Sequence, residues 1–332
     1  MKILVTIPEG NTKETFLTEH ALSELRKLGE VVETTSDHQL SEEEICAMGS
    51  DAEIILCGWG STELGQKILK GMPDLKLIAY TGGSSAGVIA PEILQSHVQV
   101  VSGNNVFAKS VAEGCLAYTL CALRQLEYYM NMVREGNWHD GTFSNRGLIG
   151  KKVGLVGFGT IAKYYAELLR WFDVELLIYS SYLTEDEAAK YGGRLASLEE
   201  IFSTCDVVSV HSALNDKNRG LVSRKLMEML NPDALLVNTS RGEVVDEAAM
   251  EELLIEKRFS AALDVFSVEP IPPESKLREL PNVVLIPHMG GPTIDMREYV
   301  TLTLIQDIER FLRGEPLENS ISPKQLTYMS RA

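Results

Sequence analysis

Short apolar runs alternate with amphipathic stretches along the whole chain, which is the pattern of an α/β protein. In the first third, five compact runs rich in Val, Ile and Leu predict strands at Ile3–Ile7, Val31–Thr34, Ala52–Cys57, Leu75–Tyr80 and Val98–Ser102. The stretches between them predict helices at Lys13–Leu28, Ser41–Met48, Glu63–Lys70 and Pro91–Ser96. Ser41 and Glu44 have the spacing of a capping box, and a proline opens the last helix. These elements make a complete α/β unit.

The longest helical pattern follows, over residues 105–135, and it is apolar on more than one face. Such a helix is typically buried between layers or in an oligomer interface, so we expect a connector between two domains and a dimer contact.

Strand and helix alternate again from Lys151 to Pro292, which predicts a second doubly wound sheet. Its later strands are predicted at Val207–Val210, Ala234–Asn238, Ala261–Val265 and Val283–Pro287, with helices at Arg224–Leu230 and Asp246–Lys257. A last helix, Thr293–Leu312, and a polar tail are expected to pack back on the first domain. The predicted domains are therefore residues 1–103 with 293–332, and residues 104–292.

One stretch, Lys152–Tyr179, has the order strand, glycine-rich turn, helix, strand that binds dinucleotides. Gly157 permits the sharp turn, and Gly159 leaves no Cβ between the backbone and a pyrophosphate. Ala162 is the small residue where the helix crosses the strand. Free N–H groups at the start of that helix would hold the phosphates. We therefore predict a dinucleotide site.

Charge and cysteine content narrow the functional class. The chain has 47 acidic and 31 basic residues, a net charge of -16, so no broad basic surface for nucleic acid or an anionic membrane is expected. Five cysteines show neither a CxxC pair nor metal-ligand spacing, which predicts reduced thiols and no metal. The chain opens on a strand-like MKILVTIP, and we find no run of about 18 apolar residues. A cytoplasmic protein is expected.

Three ionisable residues of the second domain follow predicted strands, where ligands of open parallel sheets bind. Arg241 follows ALLVNTS, Glu269 follows AALDVF, and His288 follows VVLIP. Reduction of a 2-oxo acid by hydride requires a cation that grips the carboxylate and polarises the carbonyl, which suits Arg241. It also requires a proton donor that titrates near neutrality, which suits His288. Glu269 would orient the imidazole through its other nitrogen.

With these residues the chain resembles the D-isomer-specific 2-hydroxyacid dehydrogenases, a family that includes D-lactate, phosphoglycerate and formate dehydrogenases and the glyoxylate/hydroxypyruvate reductases. The matching segments, in order along the chain, are VGLVGFGTIA, LLVNTSRGEVVDEAAM, AALDVFSVEP and LPNVVLIPHMGGPT. VAEGCLAYTLCALR and EGNW are weaker matches upstream. The resemblance covers nearly the whole chain.

The resemblance implies an α/β fold of two doubly wound parallel-sheet domains, a Rossmann-type cofactor domain and a flavodoxin-like substrate domain, in a homodimer. It implies that Arg241, Glu269 and His288 are catalytic and that Asp264 contacts the nicotinamide carboxamide. The implied pyrophosphate contacts are Gly157, Gly159, Thr160 and Ile161. The loop Gly82, Gly83 and Ser84 would offer N–H groups to the substrate carboxylate, together with Arg241.

Departures from the family pattern bear on specificity. Ser180 stands where an acid usually binds the adenosine ribose, and no Lys or Arg follows until Lys190, so NAD and NADP both stay open and NAD is favoured. Cys57-Gly58-Trp59 and Ala79-Tyr80-Thr81 stand where phosphoglycerate dehydrogenases carry phosphate-binding arginines. We expect no cation there and hence an unphosphorylated substrate. Trp59 and Tyr80 would either line its pocket or pack domain edges.

The expected function is therefore NAD(P)-dependent interconversion of a small 2-oxo acid and its D-2-hydroxy acid. The alternative is a dinucleotide-sensing protein that resembles the C-terminal-binding-protein corepressors and has little turnover. S-adenosylhomocysteine hydrolase-like chemistry shares the sheet but not the three catalytic residues. The sequence names neither the 2-hydroxy acid nor the direction of the reaction, and it gives no role to Lys109, one turn before Gly114.

Overall fold

The computed structural model describes residues 1–139, 141 and 143–329. The chain divides into two compact units, one formed by Met1–Phe107 and Pro292–Ala332 and the other by Ala108–Gly291. The sequence predicts these breaks at 103/104 and 292/293.

The first unit contains a five-stranded sheet in which every pairing is parallel. Its strands are β1 (Lys2–Val5), β2 (Glu30–Glu33), β3 (Ile54–Cys57), β4 (Leu77–Tyr80) and β5 (Gln99–Ser102). The order β2-β1-β3-β4-β5 is the doubly wound order of flavodoxin-like folds. Its helices are α1 (Asn11–Phe16), α2 (Glu19–Arg26), α3 (Glu42–Gly49), α4 (Gln66–Gly71) and α5 (Pro91–Leu94). The capping box predicted for α3 is present.

The single helix predicted at Lys13–Leu28 is wrong, because α1 and α2 are separate. Leu17 leaves the helical region, with φ −112° and ψ 70°. Thr18 then caps α2, its hydroxyl accepting the Ala21 N–H at 3.2 Å. A threonine cap inside an amphipathic pattern starts a new helix without disturbing the apolar periodicity.

The second unit contains a seven-stranded sheet, again with parallel pairings throughout. Its strands are β6 (Lys152–Val156), β7 (Glu175–Tyr179), β8 (Gly193–Leu195), β9 (Val207–Val210), β10 (Leu235–Asn238), β11 (Ser260–Leu263) and β12 (Val283–Leu285). The order β12-β11-β10-β9-β6-β7-β8 reverses between β6 and β9, as in Rossmann folds. The predicted α/β class with two doubly wound parallel sheets is confirmed.

The remaining helices are α6 (Asn104–Arg124), α7 (Leu126–Arg134), α8 (Thr160–Leu169), α9 (Glu185–Lys190), α10 (Leu198–Thr204), α11 (Arg224–Met227), α12 (Glu247–Ile255), α13 (Arg297–Arg313) and α14 (Pro323–Leu326). The last two belong to the first unit. Apolar side chains cover both faces of each sheet, which explains why the strands appear in the sequence as uninterrupted apolar runs.

The single helix expected over residues 105–135 is also wrong, because Gln125 separates α6 from α7. Gln125 adopts a left-handed conformation, with φ 52° and ψ 43°. Its side-chain carbonyl accepts the Ser144 hydroxyl at 2.6 Å.

By length and composition alone α6 could cross a membrane. Its residues Ala112, Cys115 and Leu123 nevertheless pack in the core of the second unit, as in the core helix of a globular domain.

Candidate active site

The glycine-rich turn lies between β6 and α8, at the point where the strand order reverses. Gly157 has a positive φ of +97°, and a Cβ there would lie 2.8 Å from the Ser212 backbone nitrogen, so only glycine fits. Gly159 precedes α8, and a Cβ there would meet nothing within 4 Å. The N–H groups of Thr160 and Ile161 begin the helix without an intrahelical acceptor. Open space before a helix N-terminus fits a diphosphate.

Ser180 follows β7 and shapes the loop beyond it. Its hydroxyl oxygen accepts the N–H groups of Tyr182 at 3.4 Å and Leu183 at 3.3 Å. The Tyr182 hydroxyl donates to the carbonyl of Phe158, inside the glycine-rich turn. The loop that follows β7 is thereby tied to that turn by neutral groups.

His211, which the sequence analysis did not identify, packs directly behind the glycine-rich turn. Its N–H donates to the Val156 carbonyl at 2.8 Å, and its ring Nε2 lies 3.0 Å from the Ser209 hydroxyl. Burial lowers the pKa of His211 to about 4, so the ring is neutral at physiological pH. The only sequence signal is a histidine immediately after a buried strand. Its position indicates support of the turn.

Glu269 and His288 form a hydrogen-bonded pair, with 2.6 Å between Oε2 and Nδ1. The other carboxylate oxygen, Oε1, accepts the Phe266 N–H at 2.9 Å, which fixes the side chain of Glu269. The two side chains are 35% and 47% exposed, so solvent and small ligands can reach the pair. Because Nδ1 is engaged by the carboxylate, Nε2 is the ring nitrogen that can serve a ligand. The peptide bond between Glu269 and Pro270 is cis.

Asp264 holds the turn that carries His288. Its buried carboxylate accepts the N–H groups of Met289 at 2.7 Å and Gly290 at 2.9 Å. The His288 N–H donates to the Asp264 backbone carbonyl at 3.0 Å, and His288 itself has φ 51°. Burial raises the pKa of Asp264, and these two N–H groups oppose the shift. A carboxylate has about four lone-pair sites, so acceptor capacity remains for a further donor.

Arg241 follows β10 in a loop fixed by Asn238. The Asn238 amide oxygen accepts the Ser240 N–H at 3.0 Å and hydroxyl at 2.8 Å, and its amide nitrogen donates to the Arg241 carbonyl at 3.0 Å. The guanidinium donates to the Ser240 carbonyl at 2.7 Å. Burial lowers the pKa of Arg241, opposed by the charges of Glu269 and Glu243. The guanidinium is therefore partly desolvated and faces a negative field.

Gly242 brings the Arg241 loop against the loop that carries Glu269. An ideal Cβ on Gly242 would lie 2.0 Å from the Phe266 carbonyl carbon and 2.2 Å from the Ser267 nitrogen. The two backbones are therefore in direct contact, and Phe266 is the residue whose N–H holds Glu269. Arg241, Glu269 and His288, far apart in the sequence, are brought to one edge of the second sheet.

The loop Gly82–Ser84 follows β4 in the first unit. A Cβ on Gly82 would lie 2.2 Å from the Tyr80 ring, and one on Gly83 would lie 3.0 Å from the Phe107 ring, so a side chain at Gly82 would clash and one at Gly83 would be tightly packed. Gly82 and Gly83 are buried, yet their N–H groups have no acceptor among the described residues. Buried N–H groups are normally paired, so this loop fits an anionic ligand. Tyr80 is 4% exposed and packs in the core.

Trp59 lies at the carboxyl end of β3 and is 39% exposed. As expected, Cys57-Gly58-Trp59 and Ala79-Tyr80-Thr81 contain no cation, but a distant segment brings one beside Trp59. Arg297, the first residue of α13, places its guanidinium carbon 5.5 Å from the centre of the Trp59 ring. Sequence reasoning missed it because Arg297 is distant from Trp59 along the chain.

Lys109 lies 5.5 Å above the centre of the Tyr164 ring, a cation–π contact within the second unit.

The five cysteines are free. Burial raises the pKa of Cys57 to about 12, of Cys115 to about 11 and of Cys205 to about 12, so these thiols are protonated. Within the part of the chain that the structure describes, no three His, Cys, Asp or Glu residues are grouped to hold a metal ion.

Comparison with known proteins finds one matching family model. Residues 116–290, just over half of the chain, match the model of the D-isomer specific 2-hydroxyacid dehydrogenase NAD binding domain.

Curated relatives and a solved structure extend the similarity to both units. A D-3-phosphoglycerate dehydrogenase of Archaeoglobus fulgidus is 28% identical over 335 residues, which cover 99% of this chain and 62% of that protein. The chain thus spans about three fifths of that relative. A hydroxypyruvate reductase of Thermotoga maritima is 29% identical over 283 residues, 84% of this chain and 90% of that protein. The NADPH-dependent glyoxylate/hydroxypyruvate reductase of Sinorhizobium meliloti has the same fold, with a TM-score of 0.78, 24% identity, and coverage of 100% of this chain and 99% of that one.

Proposed function

Because the chain belongs to the D-isomer-specific 2-hydroxyacid dehydrogenase family, we propose that it interconverts a small 2-oxo acid and its D-2-hydroxy acid with a nicotinamide dinucleotide. We propose the reduction as its main direction and an unphosphorylated substrate. The observation that carries this proposal is the 2.6 Å contact between Glu269 and His288 beside the partly desolvated Arg241.

Each of these residues has a distinct task in the proposed reaction. The Arg241 guanidinium binds the substrate carboxylate and polarises the adjacent carbonyl. His288 donates a proton from Nε2 to the oxygen that becomes the hydroxyl. Glu269 fixes the orientation of the imidazole ring through its contact with Nδ1. The dinucleotide, when bound, supplies the hydride.

The residues of the second unit fit that cofactor. Gly157 and Gly159 leave the turn free of side chains, and the N–H groups of Thr160 and Ile161 would receive the diphosphate. Asp264 would accept a hydrogen bond from the nicotinamide carboxamide. Ser180 at the end of β7 is neutral, so it does not repel a 2′-phosphate. It also provides no positive charge to bind one, and we therefore propose a preference for NADH.

We propose that the first unit is the substrate domain and that the N–H groups of Gly82, Gly83 and Ser84 bind the substrate carboxylate with Arg241. The N–H groups of the two buried glycines, which have no acceptor among the residues that the structure describes, support this assignment. The proposed protein is a cytoplasmic enzyme with no nucleic-acid or membrane partner.

We also propose a homodimer. In α7, Leu126 is 45% exposed, Tyr128 54%, Met130 50% and Val133 52%. Leu126, Met130 and Val133 have the spacing of one helix face and form an exposed apolar surface there, and a surface of this kind commonly marks a protein interface. Sedimentation equilibrium that gives twice the chain mass of 36.7 kDa supports the dimer, and a monomer contradicts it.

The function is tested by following oxidation of NADH and NADPH at 340 nm with a panel of 2-oxo acids that includes glyoxylate and hydroxypyruvate. We expect turnover with NADH preferred over NADPH. His38→Ala changes an exposed histidine of the first unit and serves as the control for His288→Ala, which should abolish most of the turnover. Absence of turnover with every 2-oxo acid contradicts the proposal, and a stoichiometric protein partner from the host would then favour the dinucleotide-sensing alternative.

A further inference from the structure

In the first unit an arginine packs against two aromatic rings at the carboxyl end of the sheet. The guanidinium carbon of Arg297 lies 5.4 Å from the centre of the Phe16 ring and 5.5 Å from that of Trp59. The two rings meet edge to face at 5.2 Å, and Trp59 also contacts Phe107 at 5.6 Å. The contacts with both rings hold the guanidinium at this position and partly shield it from water. Its N–H groups can still donate hydrogen bonds.

The charge of Arg297 has no acidic partner in the described part of the chain. Among the described residues no carboxylate lies within the ion-pair distance of 4.0 Å, although most other arginines of this unit are paired. Nη1 donates to the Thr15 hydroxyl at 3.1 Å. Nε is buried without an acceptor, and no acceptor is found for Nη2 within the described part of the chain. A partly buried cation with unused donors is costly unless a ligand anion completes it.

Arg297 and the Gly82–Ser84 loop, which is proposed to bind the substrate carboxylate, pack against the same aromatic cluster. A Cβ on Gly83 would lie 3.0 Å from the Phe107 ring, so that loop rests on the same aromatic cluster that holds Arg297. Trp59 follows β3 and Gly83 follows β4, which are neighbouring strands, and ligands of open parallel sheets bind beyond the carboxyl ends of the strands. The loop and Arg297 therefore border the same aromatic cluster at this edge of the sheet.

We propose that Arg297 binds a carboxylate at the far end of the substrate side chain, so that the preferred substrates are 2-oxo dicarboxylic acids. This inference rests on the proposed function. One guanidinium carries a single charge, and it matches a carboxylate in both charge and planar geometry. A phosphate dianion is matched better by two cations, and only Arg297 contacts the rings of this cluster among the described residues.

The test compares substrates of equal chain length that differ in the terminal carboxylate. The first pair is oxaloacetate and 2-oxobutanoate, and the second is 2-oxoglutarate and 2-oxopentanoate. 3-Phosphohydroxypyruvate tests whether a phosphate is bound instead of a carboxylate. We expect the wild type to prefer a dicarboxylate by at least about tenfold in kcat/KM, as a charge-assisted hydrogen bond provides. Arg297→Met should remove that preference and leave kcat/KM for the monocarboxylates within about threefold. Arg313→Met, on the same helix and 55% exposed, should change neither value.

Several outcomes overturn the inference. Equal kcat/KM for the members of each pair in the wild type contradicts it, as does a preference that survives Arg297→Met. A phosphorylated substrate whose advantage depends on Arg297 contradicts the assignment to a carboxylate.

A binding measurement keeps the inference testable if no 2-oxo acid is turned over, which would contradict the proposed function instead. We expect 2-oxoglutarate to raise the melting temperature of the wild type and not of Arg297→Met, because only a ligand bound to the native state stabilises it. Equal shifts in the two proteins would refute the contact.

Discussion

The most specific prediction of the site geometry concerns Gly242→Ala. The change adds one methyl group at a position where a Cβ would lie 2.0 Å from the Phe266 carbonyl carbon. Restoring an ordinary separation of 3.4 Å requires the two loops to move apart by about 1.4 Å. Alanine is otherwise tolerated there, because the φ of Gly242 lies outside the left-handed region. Any loss is therefore steric.

The expected loss follows from what the two loops carry. Phe266 donates the hydrogen bond that fixes Glu269, and Arg241 precedes the new methyl group, so the spacing between guanidinium and imidazole changes. A misplacement of about 1 Å costs roughly 10²-fold in rate. Overpacking of this kind costs about 1–3 kcal/mol of stability, which lowers the melting temperature by several degrees.

The assay is steady-state turnover with the best 2-oxo acid, together with thermal unfolding by circular dichroism. Gly147→Ala is the matched control, because a Cβ at that position meets nothing within 4 Å. We expect the control to match the wild type and Gly242→Ala to lose about 10²-fold in kcat while it remains folded. Turnover of Gly242→Ala within about threefold of the wild type would refute the contact between the two loops.

Two substitutions test other parts of the site, and an alkylation experiment tests the burial of three cysteines. His288→Ala should lower kcat by about 10²–10⁴-fold with NADH binding retained in a fluorescence titration, and unchanged turnover would remove His288 from the mechanism. Ser180→Asp should raise the ratio of kcat/KM for NADH over NADPH, because a carboxylate binds the ribose diol and repels a 2′-phosphate; an unchanged ratio places the ribose elsewhere. Iodoacetamide at pH 8 should leave Cys57, Cys115 and Cys205 unmodified by mass spectrometry until the protein is unfolded, because their pKa values are raised to about 12, 11 and 12; rapid native labelling would contradict their burial.

The strands could be predicted from the sequence because both faces of each sheet are covered. A strand such as Ile54–Cys57, buried at every residue, appears as an apolar run with clear ends. The glycine-rich turn could also be predicted from the sequence, because its glycines are required by the geometry of the turn itself. By contrast, the left-handed Gln125 has no glycine or proline to mark it, and the bond that holds it comes from Ser144. Such a helix end is set by tertiary contacts and has no local signal.

The candidate site likewise has residues that the sequence predicts and supporting residues that it does not. The positions of Arg241, Glu269 and His288 could be predicted from the strand ends that precede them, because parallel strands present their carboxyl ends along one edge. The supports of these residues could not be predicted. Gly242 touches a backbone that arrives from another strand, and Arg297 meets Trp59 only after α13 has returned to the first unit. Both contacts depend on the packing of distant segments, which a single sequence does not display.

The most direct test of the account follows one atom from cofactor to product. NADH dideuterated at C4 of the nicotinamide is incubated with the enzyme and its best 2-oxo acid, and the product is analysed by NMR and chiral chromatography. We expect one deuterium at C2 of a D-2-hydroxy acid for each cofactor oxidised. An L-2-hydroxy acid, or a product with no deuterium at C2, would contradict hydride transfer at a site formed by Arg241, Glu269 and His288.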